Sequence, residues 1–330
     1  MSQHESYDIT IIGGGPTGLF SAFYAGMRQA RTLVIESLPQ LGGQLAMLYP
    51  EKHIYDVAGF PSVTARELVD NLIEQNQRFE HDYALTETVI AIEKNEDNLF
   101  NIMTNKNVYR SKTIIITAGN GAFEPRRMTL NEADTCEEHS LHYFINDLEK
   151  FRDQRVVVTG GGDSAIDWAL MLEPIAKEVT LVHRRKEFRG HEHSVSLLKQ
   201  SSVQLKTPYI VDEIEHTEGM IHTIHLVNPK EDTQETILAD HLIVNFGFKS
   251  SIGPIKDWGL ELKGRQIKVS SDMMTSAPGI FAAGDICWYP GKVELIATGL
   301  GEAPTAVNNA LHFANPEQRV QPGHSTSLFD

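Results

Sequence analysis

Residues 7–18 read YDITIIGGGPTG, and this stretch sets the fold class of the chain. Its first half is a short β-branched run, which predicts a buried parallel strand, and its second half is a glycine-rich turn. Small and apolar residues then predict a helix over 19–25, and residues 32–36, TLVIE, predict a second strand that ends in an acid. Strand, glycine turn, helix and strand within about 30 residues are the parts of a βαβ unit.

The same pattern occurs once more in the second half of the chain. Residues 155–159, RVVVT, predict a strand, and residues 160–165, GGGDSA, predict the turn. A helix is predicted over 166–176 and a strand over 179–183. In such turns the first glycine allows a tight bend, the second lets the backbone approach a pyrophosphate, and the helix N-terminus stabilises its charge. A turn without a ligand is the alternative for each unit alone, but the strand-to-helix context of both favours two nucleotide sites.

Glu36 and His183 occupy the same position in the two units, because each lies 23 residues after the first glycine of its turn. That position faces the ribose of a bound adenine dinucleotide. A carboxylate there accepts hydrogen bonds from both ribose hydroxyls and repels a 2′-phosphate, so the first site is predicted to bind FAD or NAD. The residues that define the two turns are Gly13, Gly15 and Gly18 in the first unit, and Gly160 and Gly162, with Ala165 in place of the last glycine, in the second.

The second unit has a basic cluster where the first has an acid. His183 is followed by Arg184 and Arg185, and Arg189 comes four residues later. Guanidinium groups bind phosphate bidentately, so this cluster favours NADPH over NADH, although a solvated surface would have the same composition. The first helical residues after the turn, Asp163 and Ser164, complete the candidate site. Two nicotinamides have no useful chemistry between them, and FAD is therefore the expected occupant of the first site.

Bulk properties exclude several other classes of protein. The chain has 330 residues, a net charge of −15 and 41% apolar residues, which fits a two-domain globular protein and disfavours binding to nucleic acid or anionic membranes. No run approaches the about 20 apolar residues of a membrane helix, and the polar first residues do not resemble a signal peptide. Two distant cysteines, Cys136 and Cys287, form neither a disulfide framework nor a metal-ligand pattern. We therefore expect no metal and a cytoplasmic location.

The predicted fold class is α/β with two Rossmann-like dinucleotide-binding domains. We expect a discontinuous FAD domain over 1–119 and 248–330, with the NADPH domain, 120–247, inserted into it. The strands 113–117 and 242–247 end in a similar way in the two domains. A last helix is predicted around Pro304 to Phe313, with its N-terminus directed at the flavin, followed by a polar tail from Asn315.

Four motifs carry a resemblance to a known family. Residues 42–44 (GGQ), 117–119 (TAG), 183–189 (HRRKEFR) and 279–285 (GIFAAGD) resemble, in order, the thioredoxin-reductase-like flavoproteins with a glutathione/thioredoxin-reductase-like fold. Thioredoxin reductases carry a redox-active cysteine pair shortly before the second Rossmann strand, and the glutathione-reductase branch carries one soon after the first unit. This chain has no cysteine pair at either position. Cys287, after the last motif, is interpreted as a buried small residue rather than a redox group.

Within that superfamily the chain resembles the bacterial thioredoxin-reductase-type ferredoxin–NADP reductases. The similar stretches are residues 41–61, 160–174, 301–310 and 324–329, of which the tail is the most informative because thioredoxin reductases end before it. The resemblance implies a homodimer that transfers hydride between NADPH and FAD and passes single electrons between the reduced flavin and ferredoxin or flavodoxin. It requires no catalytic acid or base, since the flavin carries the chemistry.

The resemblance also implies which residues bind FAD. Tyr49 is expected to stack on the flavin, although a core tyrosine is the alternative, and Val89 to offer only its backbone to the adenine. His324 in the tail is a candidate to cover the exposed flavin face. The other implied FAD contacts are Thr17, Glu36, Gln44, Phe123, Asp285 and Thr326.

Other functions stay open at this point. A flavin-dependent NADPH oxidase or diaphorase that reduces oxygen or small quinones would have the same cofactor sites. A thioredoxin reductase would need the missing cysteines, and a dinucleotide-sensing protein without activity is the non-enzymatic alternative. Arg126, Arg127 and Lys112 could form a docking patch for an acidic ferredoxin, although a solvated surface is the simpler interpretation of these charges.

Overall fold

The computed structural model describes residues 6–137, 139–145 and 147–328. The chain divides into two compact units. The first unit contains residues 1–123 and 250–330, and the second contains residues 124–249. The second unit is thus an insertion in the first, and the chain crosses between them twice.

The described residues form short strands and helices throughout both units. The strands are β1 (Tyr7–Ile12), β2 (Thr32–Glu36), β3 (His53–Ile54), β4 (Val63–Thr64), β5 (Asp82–Leu85), β6 (Val89–Lys94), β7 (Phe100–Thr104), β8 (Val108–Ile116), β9 (Ala122–Pro125), β10 (Leu141–His142), β11 (Arg155–Gly160), β12 (Glu178–Val182), β13 (Gln204–Lys206), β14 (Ile210–Thr217), β15 (Met220–Val227), β16 (Gln234–Leu238), β17 (His241–Asn245), β18 (Phe248–Ser251), β19 (Leu262–Lys263), β20 (Gln266–Lys268), β21 (Ile280–Ala282) and β22 (Cys287–Trp288). The α-helices are α1 (Pro16–Met27), α2 (Gly43–Leu48), α3 (Ala65–Asn76), α4 (Ala133–Glu137), α5 (Asp163–Leu172), α6 (Glu192–Gln200) and α7 (Ile296–Ala314), and the 3-10 helices are Glu149–Phe151, Gly253–Asp257 and Ser325–Leu328.

The first unit is built on a seven-stranded sheet. Its parallel part has the order β21-β8-β1-β2-β5, and β7 and β6 extend it as an antiparallel meander beyond β8. Ile9, Ile11 and Ile115 have no exposed surface, because the parallel strands are covered on both faces. The pairing brings the carboxyl ends of β1, β2 and β8 to one edge, where the glycine turn follows β1.

Helices α1, α3 and α7 pack together in the first unit. α3 begins at a complete capping box, in which the Oγ1 of Thr64 accepts from the N–H of Glu67 at 3.1 Å and the carboxylate of Glu67 accepts from the N–H of Thr64 at 2.9 Å. Such a cap contributes about 1 kcal/mol to helix stability. The helix ends at Asn76.

The second unit repeats the parallel part of the first sheet. Its order is β10-β17-β11-β12-β13, all parallel, so β11 takes the place of β1, β12 that of β2 and β17 that of β8. Helix α5 packs against β11 and β12, and α6 packs against α5. A three-stranded antiparallel sheet, β14-β15-β16, completes the unit.

The prediction for the last helix was wrong at its start. α7 begins at Ile296, and Pro304 lies inside it. A proline inside a helix removes one backbone donor and costs about 3 kcal/mol. The helix continues because Ala303, Ala306 and Val307 are completely buried on its inner face. The positive end of the helix dipole is therefore at Ile296, not at Pro304.

None of the helices in the described part of the chain combines the length and the apolar character needed to cross a membrane. Where the chain passes between the units, β9 and β18 pair as a two-stranded sheet.

Cys136 and Cys287 are both free and completely buried. Burial raises the pKa of the Cys287 thiol to about 12, which agrees with its interpretation as a packing residue.

Candidate dinucleotide-binding sites

The first glycine turn combines close backbone packing with an open position. Gly13 has a φ of +111°, and a Cβ on it would lie 2.5 Å from the carbonyl oxygen of Thr117 at the end of β8. A Cβ on Gly18 would collide with the carbonyl oxygen of Gly13. In contrast, none of the described atoms would lie within 4 Å of a Cβ added to Gly15. Two glycines therefore allow the chain to pack, and the third leaves room for a ligand.

Helix α1 starts at this open position without a side-chain cap. Gly15 is its N-cap residue and Pro16, which has no N–H, is its first residue. The next backbone N–H groups lack intrahelical partners, as at any helix start. Together with the helix dipole they form a site for an anionic group such as a pyrophosphate. Thr17 is half-buried, and its Oγ1 lies beside Gly284 and Gly299. A Cβ added to Gly284 would be 2.9 Å from this oxygen.

The loop before α2 forms a second wall of this site. The N–H of Gly42 donates to the carbonyl oxygen of Gly14 at 2.8 Å, and the Cβ position of Gly43 is 3.1 Å from the Cα of Gly15. Gln44 follows, and its Nε2 lies 3.2 Å from the Cβ position of Gly119. The structure therefore brings Gln44 to the carboxyl end of β8, close to the glycine turn.

Glu36 is a buried carboxylate held by backbone groups. Its side chain is at the end of β2, where only 6% of the residue is exposed. One oxygen accepts from the N–H of Gly14 at 2.7 Å, and the other accepts from the N–H of Leu38 at 2.9 Å and the hydroxyl of Ser37 at 3.1 Å. A carboxylate has about four acceptor positions, so one remains for a ribose hydroxyl.

Val89 lies near Glu36 through the backbone. The N–H of Glu87 donates to the carbonyl oxygen of Glu36 at 3.0 Å, and β6 begins at Val89 two residues later. The side chain of Val89 is in the hydrophobic core, with 5% of the residue exposed. Only its backbone is available for a ligand.

Tyr49 and Asp285 influence each other electrostatically. Tyr49 ends α2 and is half-buried, and its pKa is raised by burial and by the charge of Asp285. Asp285 follows Gly284, whose φ is +79°. Burial raises the pKa of Asp285, whereas the positive charge of Lys292 lowers it. A phenol ring and a half-buried carboxylate thus share one end of the first unit with Thr17.

Among the remaining predicted FAD residues, His324 and Thr326 are not brought into this cluster. The side chain of Phe123 lies outside the described side chains, although its backbone belongs to β9. His324 and Thr326 are exposed, and within residues 6–328 as described they form no hydrogen bond with the other predicted FAD residues. The tail is attached earlier, where Arg28 donates to the carbonyl oxygen of Arg319 at 2.9 Å.

The second glycine turn has the same geometry as the first. Gly160 has a φ of +155°, and a Cβ on it would lie 2.6 Å from the carbonyl oxygen of Asn245 at the end of β17. Gly162 is the N-cap of α5 and faces open space, like Gly15. Asp163 and Ser164 are exposed in the first turn of α5. This helix start is also without a side-chain cap, which suits an anionic ligand.

Two hydrogen bonds hold the basic loop, residues 184–190, against this turn. The N–H of Arg189 donates to the carbonyl oxygen of Gly161 at 2.7 Å, and the N–H of His191 donates to the Oδ1 of Asp163 at 2.7 Å. Arg184, Arg185 and Arg189 are exposed. Three guanidinium groups therefore project from a loop that is attached to the glycine turn.

His183 packs under the turn rather than projecting from it. Its ring occupies the space beside Gly161, where a Cβ would collide with it, and it stacks on Phe188 at 5.4 Å. Burial lowers its pKa, and the charges of Arg184 and Arg189 lower it further, so the ring is neutral near pH 7. His183 therefore does not contribute to the positive charge of the cluster, which comes from the exposed basic side chains of the loop.

Two buried polar atoms at this site lack partners among the described residues. They are the Nε2 of His183 and the Nδ2 of Asn245. Buried polar groups without a partner are rare in folded proteins. Their position beside the open N-cap of α5 fits a polar ligand that would complete their hydrogen bonds.

The sequence interpretation missed several residues of the two sites. Thr117, directly after β8, and Asn245, at the end of β17, contact the first glycine of each turn, and Gly42 belongs to the wall before α2. A polar residue near the end of each predicted strand was the signal for Thr117 and Asn245. Glu302 lies outside the glycine motifs, and it accepts from the N–H of Gly284 at 2.7 Å. The single acid in the otherwise uncharged stretch 296–307 could have indicated it.

Comparisons with known proteins agree with this geometry. The family described as pyridine nucleotide-disulphide oxidoreductase matches residues 7–310. Ferredoxin--NADP reductase 2 of Listeria monocytogenes serovar 1/2a is 61% identical over 324 residues, covering 98% of each chain. Ferredoxin--NADP reductase of Geobacillus kaustophilus is 59% identical over 323 residues, covering 98% of this chain and 97% of that protein.

Solved structures support the fold. The thioredoxin reductase of Lactococcus lactis has a TM-score of 0.74 at 26% identity, covering 94% of this chain and 99% of that chain. The thioredoxin reductase of T. acidophilum has a TM-score of 0.75 at 23% identity, covering 95% and 99%, and bears on the fold alone. The predicted family and the predicted fold class are confirmed. The chain belongs to the pyridine nucleotide-disulphide oxidoreductase family, in which its full-length relatives are named ferredoxin–NADP reductase.

Proposed function

We propose that this chain is a ferredoxin–NADP reductase that binds FAD in its first unit and NADPH in its second. The observation that carries the proposal is the pair of equivalent glycine turns with opposite chemistry beside them. A buried carboxylate, Glu36, adjoins the first turn, and a loop with three exposed arginines adjoins the second. The first combination suits an adenine dinucleotide without a 2′-phosphate and the second suits one with it.

The FAD domain is assigned to 1–119 with 248–330. The pyrophosphate lies at the open start of α1, and Glu36 binds the ribose. Gln44, Tyr49 and Asp285 lie at the flavin end, because they share one end of the unit with Thr17. The full set of proposed FAD residues is Gly13, Gly15, Thr17, Gly18, Glu36, Gln44, Tyr49, Val89, Phe123, Asp285 and Thr326, with His324 as the flavin-face candidate.

The NADPH domain is assigned to 120–247. Its pyrophosphate lies at the start of α5, and the arginines bind the 2′-phosphate as charge-assisted pairs. His183 contributes by shaping the floor under Gly161 and by its unpartnered Nε2. The proposed NADPH residues are Gly160, Gly162, Asp163, Ser164, His183, Arg184, Arg185 and Arg189.

The protein's part in the reaction is to bind, orient and tune. FAD, when bound in the first unit, would supply the redox chemistry as a two-electron acceptor for NADPH and a one-electron donor for ferredoxin. Glu36 holds the adenosine end through an already formed contact with Gly14, and Asp285 presents a half-buried carboxylate at the other end. Neither cysteine is available for a dithiol step, since both are buried and Cys287 has a strongly raised pKa.

Ferredoxin is the partner that the relatives' names indicate. Flavodoxin as a second partner, a homodimer and a cytoplasmic location are further parts of the proposal, and they rest on the family resemblance and on the composition. The suggested docking patch loses support, because Lys112 pairs with Asp8 at 2.7 Å and Arg127 pairs with Glu137. An NADPH oxidase or diaphorase is the second candidate, because it needs the same two sites.

The test compares electron acceptors with one enzyme preparation. Purified protein loaded with FAD is mixed with NADPH and with ferredoxin, flavodoxin, oxygen or a small quinone in a stopped-flow instrument. We expect ferredoxin to be reduced with the highest kcat/KM, and the rate to change with salt if charges guide docking. Faster turnover with oxygen or quinone would favour the diaphorase. Failure of the protein to bind FAD would contradict the proposal altogether.

A further inference from the structure

Lys292 and Glu302 form a buried ion pair in the first unit. The Lys292 Nζ is 2.5 Å from a carboxylate oxygen of Glu302, and the two side chains are only 2% and 5% exposed. Removing two charges from water is costly, and the cost is recovered only if the pair is well hydrogen-bonded. A buried ion pair is therefore weak evidence for stability, and its effect on the geometry around it has to be examined from its contacts.

Both oxygens of Glu302 are occupied by groups from outside its own helix. Oε2 accepts from the backbone N–H of Gly284 at 2.7 Å, and Oε1 accepts from the Tyr289 hydroxyl at 2.7 Å in addition to Lys292. The Cys287 Sγ lies 3.5 Å from Oε2 and from the Lys292 Nζ. The carboxylate on α7 therefore ties together the turn before Asp285 and the segment after β22.

The pair adjoins the flavin end of the proposed FAD site. Gly284, which Glu302 holds, directly precedes Asp285 and contacts the Oγ1 of Thr17. The charge of Lys292 lowers the pKa of Asp285, while Glu294 and Glu302 raise it. Gln266 completes the turn by donating to the carbonyl oxygen of Asp285 at 3.0 Å. Among these charged groups Lys292 is the cation.

We propose that Lys292 and Glu302 are positioning residues that hold the Gly284–Asp285 turn and, through the balance of their charges, set the reduction potential of the bound flavin. The inference rests on the proposed function, because it assumes FAD in the first unit. Charges in a site shielded from water act more strongly than they do in solvent. The reduced flavin carries more negative charge than the oxidised one, so a nearby cation stabilises it and a nearby anion destabilises it.

The two members of the pair are expected to have opposite effects. Lys292→Met removes the cation and should lower the flavin potential. Glu302→Gln removes the anion, keeps an acceptor for Gly284 and should raise the potential. The double variant removes both charges and returns the potential towards the wild-type value. A residue with a merely structural role would give losses of stability or of FAD, without this reversal of sign.

The experiment measures the two-electron midpoint potential of FAD-loaded protein by equilibration with a dye of known potential. Each single variant is expected to change the reduction equilibrium about tenfold, which is about 30 mV for a two-electron couple. Lys292→Arg keeps the cation, so its potential should lie close to that of the wild type. The FAD dissociation constant of the apoprotein and the thermal midpoint are measured alongside. Arg155→Met and Asp240→Asn, which break a 2.6 Å ion pair in the second unit, are the matched controls and should leave the potential unchanged.

The outcomes separate the inference from the proposed function. Shifts of opposite sign in the single variants, reversed in the double variant, support the inference. Shifts of the same sign, or unchanged potentials at full FAD occupancy, overturn it and leave the proposed function intact. If Glu302→Gln does not fold, Lys292→Met and the double variant still decide, since the first must lower the potential and the second must not. A wild-type protein that does not bind FAD would overturn the proposed function itself.

Discussion

Glu36 accepts a hydrogen bond from the backbone N–H of Gly14 at 2.7 Å, so the acid at the end of the second strand is attached to the glycine turn. The equivalent pair in the second unit is His183 and Gly161, where the ring of His183 packs against the glycine instead. Equivalent positions are therefore in contact in both units. In the first unit the contact is a hydrogen bond to a carboxylate, and in the second it is the packing of a neutral ring. This difference agrees with the proposal that the first turn adjoins a ribose without a 2′-phosphate and the second adjoins a loop that binds a 2′-phosphate.

Replacing Glu36 should weaken FAD binding selectively. Glu36→Ala removes the acceptor for Gly14 and for the ribose. Because a hydrogen bond to a charged group contributes about 1.5–3 kcal/mol, the FAD dissociation constant should rise at least about tenfold. Glu36→Gln keeps an acceptor and should lose less. Titration of apoprotein with FAD, followed by flavin fluorescence, checks this. A change confined to the NADPH KM would contradict the assignment.

Replacing Arg184 and Arg185 by Ala should raise the KM for NADPH far more than the KM for NADH. Both side chains are exposed on the loop held against the second turn, and bidentate pairing with a 2′-phosphate is the contact that is lost. We expect a rise of about 10- to 100-fold for NADPH, as for the loss of charged hydrogen bonds. Lys199→Ala, an exposed cation on α6, is the control. Equal effects on the two nucleotides would contradict the prediction.

Asp163 should act on NADPH through the loop. Its Oδ1 accepts from the N–H of His191 at 2.7 Å, which anchors the far end of the basic loop to α5. Asp163→Ala releases that end, and the KM for NADPH should rise several-fold while the flavin spectrum is unchanged. Asp163→Asn retains the acceptor and should behave like wild type. A lower KM for the Ala variant would indicate that repulsion between the carboxylate and the pyrophosphate dominates instead.

Acid should destabilise the second unit through two adjacent histidines, of which His142 is half-buried and His241 is buried. The Nε2 of His142 lies 3.1 Å from the Nδ1 of His241. Burial, with the charges of Lys150 and His241, lowers the pKa of His142 to about 3, and burial also lowers the pKa of His241. An unfolded histidine takes up a proton near pH 6.5, so the unfolded state binds more protons between about pH 6.5 and pH 3, and stability rises with pH across that window.

The measurement is urea unfolding of the full chain at pH 5 and pH 7.5. His142 alone should account for at most about 2 kcal/mol of stability lost at pH 5. His142→Gln, which cannot titrate, should reduce that loss, whereas His193→Gln, an exposed histidine on α6, should not. The same pH dependence in His142→Gln and wild type would show that other groups are responsible.

The tail should influence the flavin. Arg28 at the end of α1 binds the carbonyl oxygens of Arg319 at 2.9 Å and Val320 at 3.5 Å, which attaches the start of the tail to the first unit. Truncation after Asn315 removes His324 and Thr326 and should raise flavin fluorescence and alter ferredoxin reduction. His324→Ala in the full chain separates the ring from the rest of the tail. An unchanged spectrum and rate would contradict a role for the tail at the flavin.

Local sequence patterns were sufficient to predict the two βαβ units and to align one unit with the other. The β-branched run of 7–12 and the glycines after it act within a few residues, and the equivalence of Glu36 and His183 follows from a shared spacing. The start of α7 was not accessible in this way. The local rule that proline begins a helix placed it at Pro304, but the buried face of α7 against α1 outweighs the missing hydrogen bond.

The sequence alone therefore determined the fold class and predicts a chemical preference for each proposed nucleotide site, because both depend on residue type and short-range spacing. The folded chain was needed for contacts between residues that are distant in sequence. Asp163 meets His191 and Gly42 meets Gly14 because parallel strands bring the segments that follow them to one edge of a sheet. Glu302 meets Gly284 because α7 packs against the first sheet. The folded chain also determines which side chains are buried. Burial lowers the pKa of His183, and it encloses the ion pair of Lys292 and Glu302.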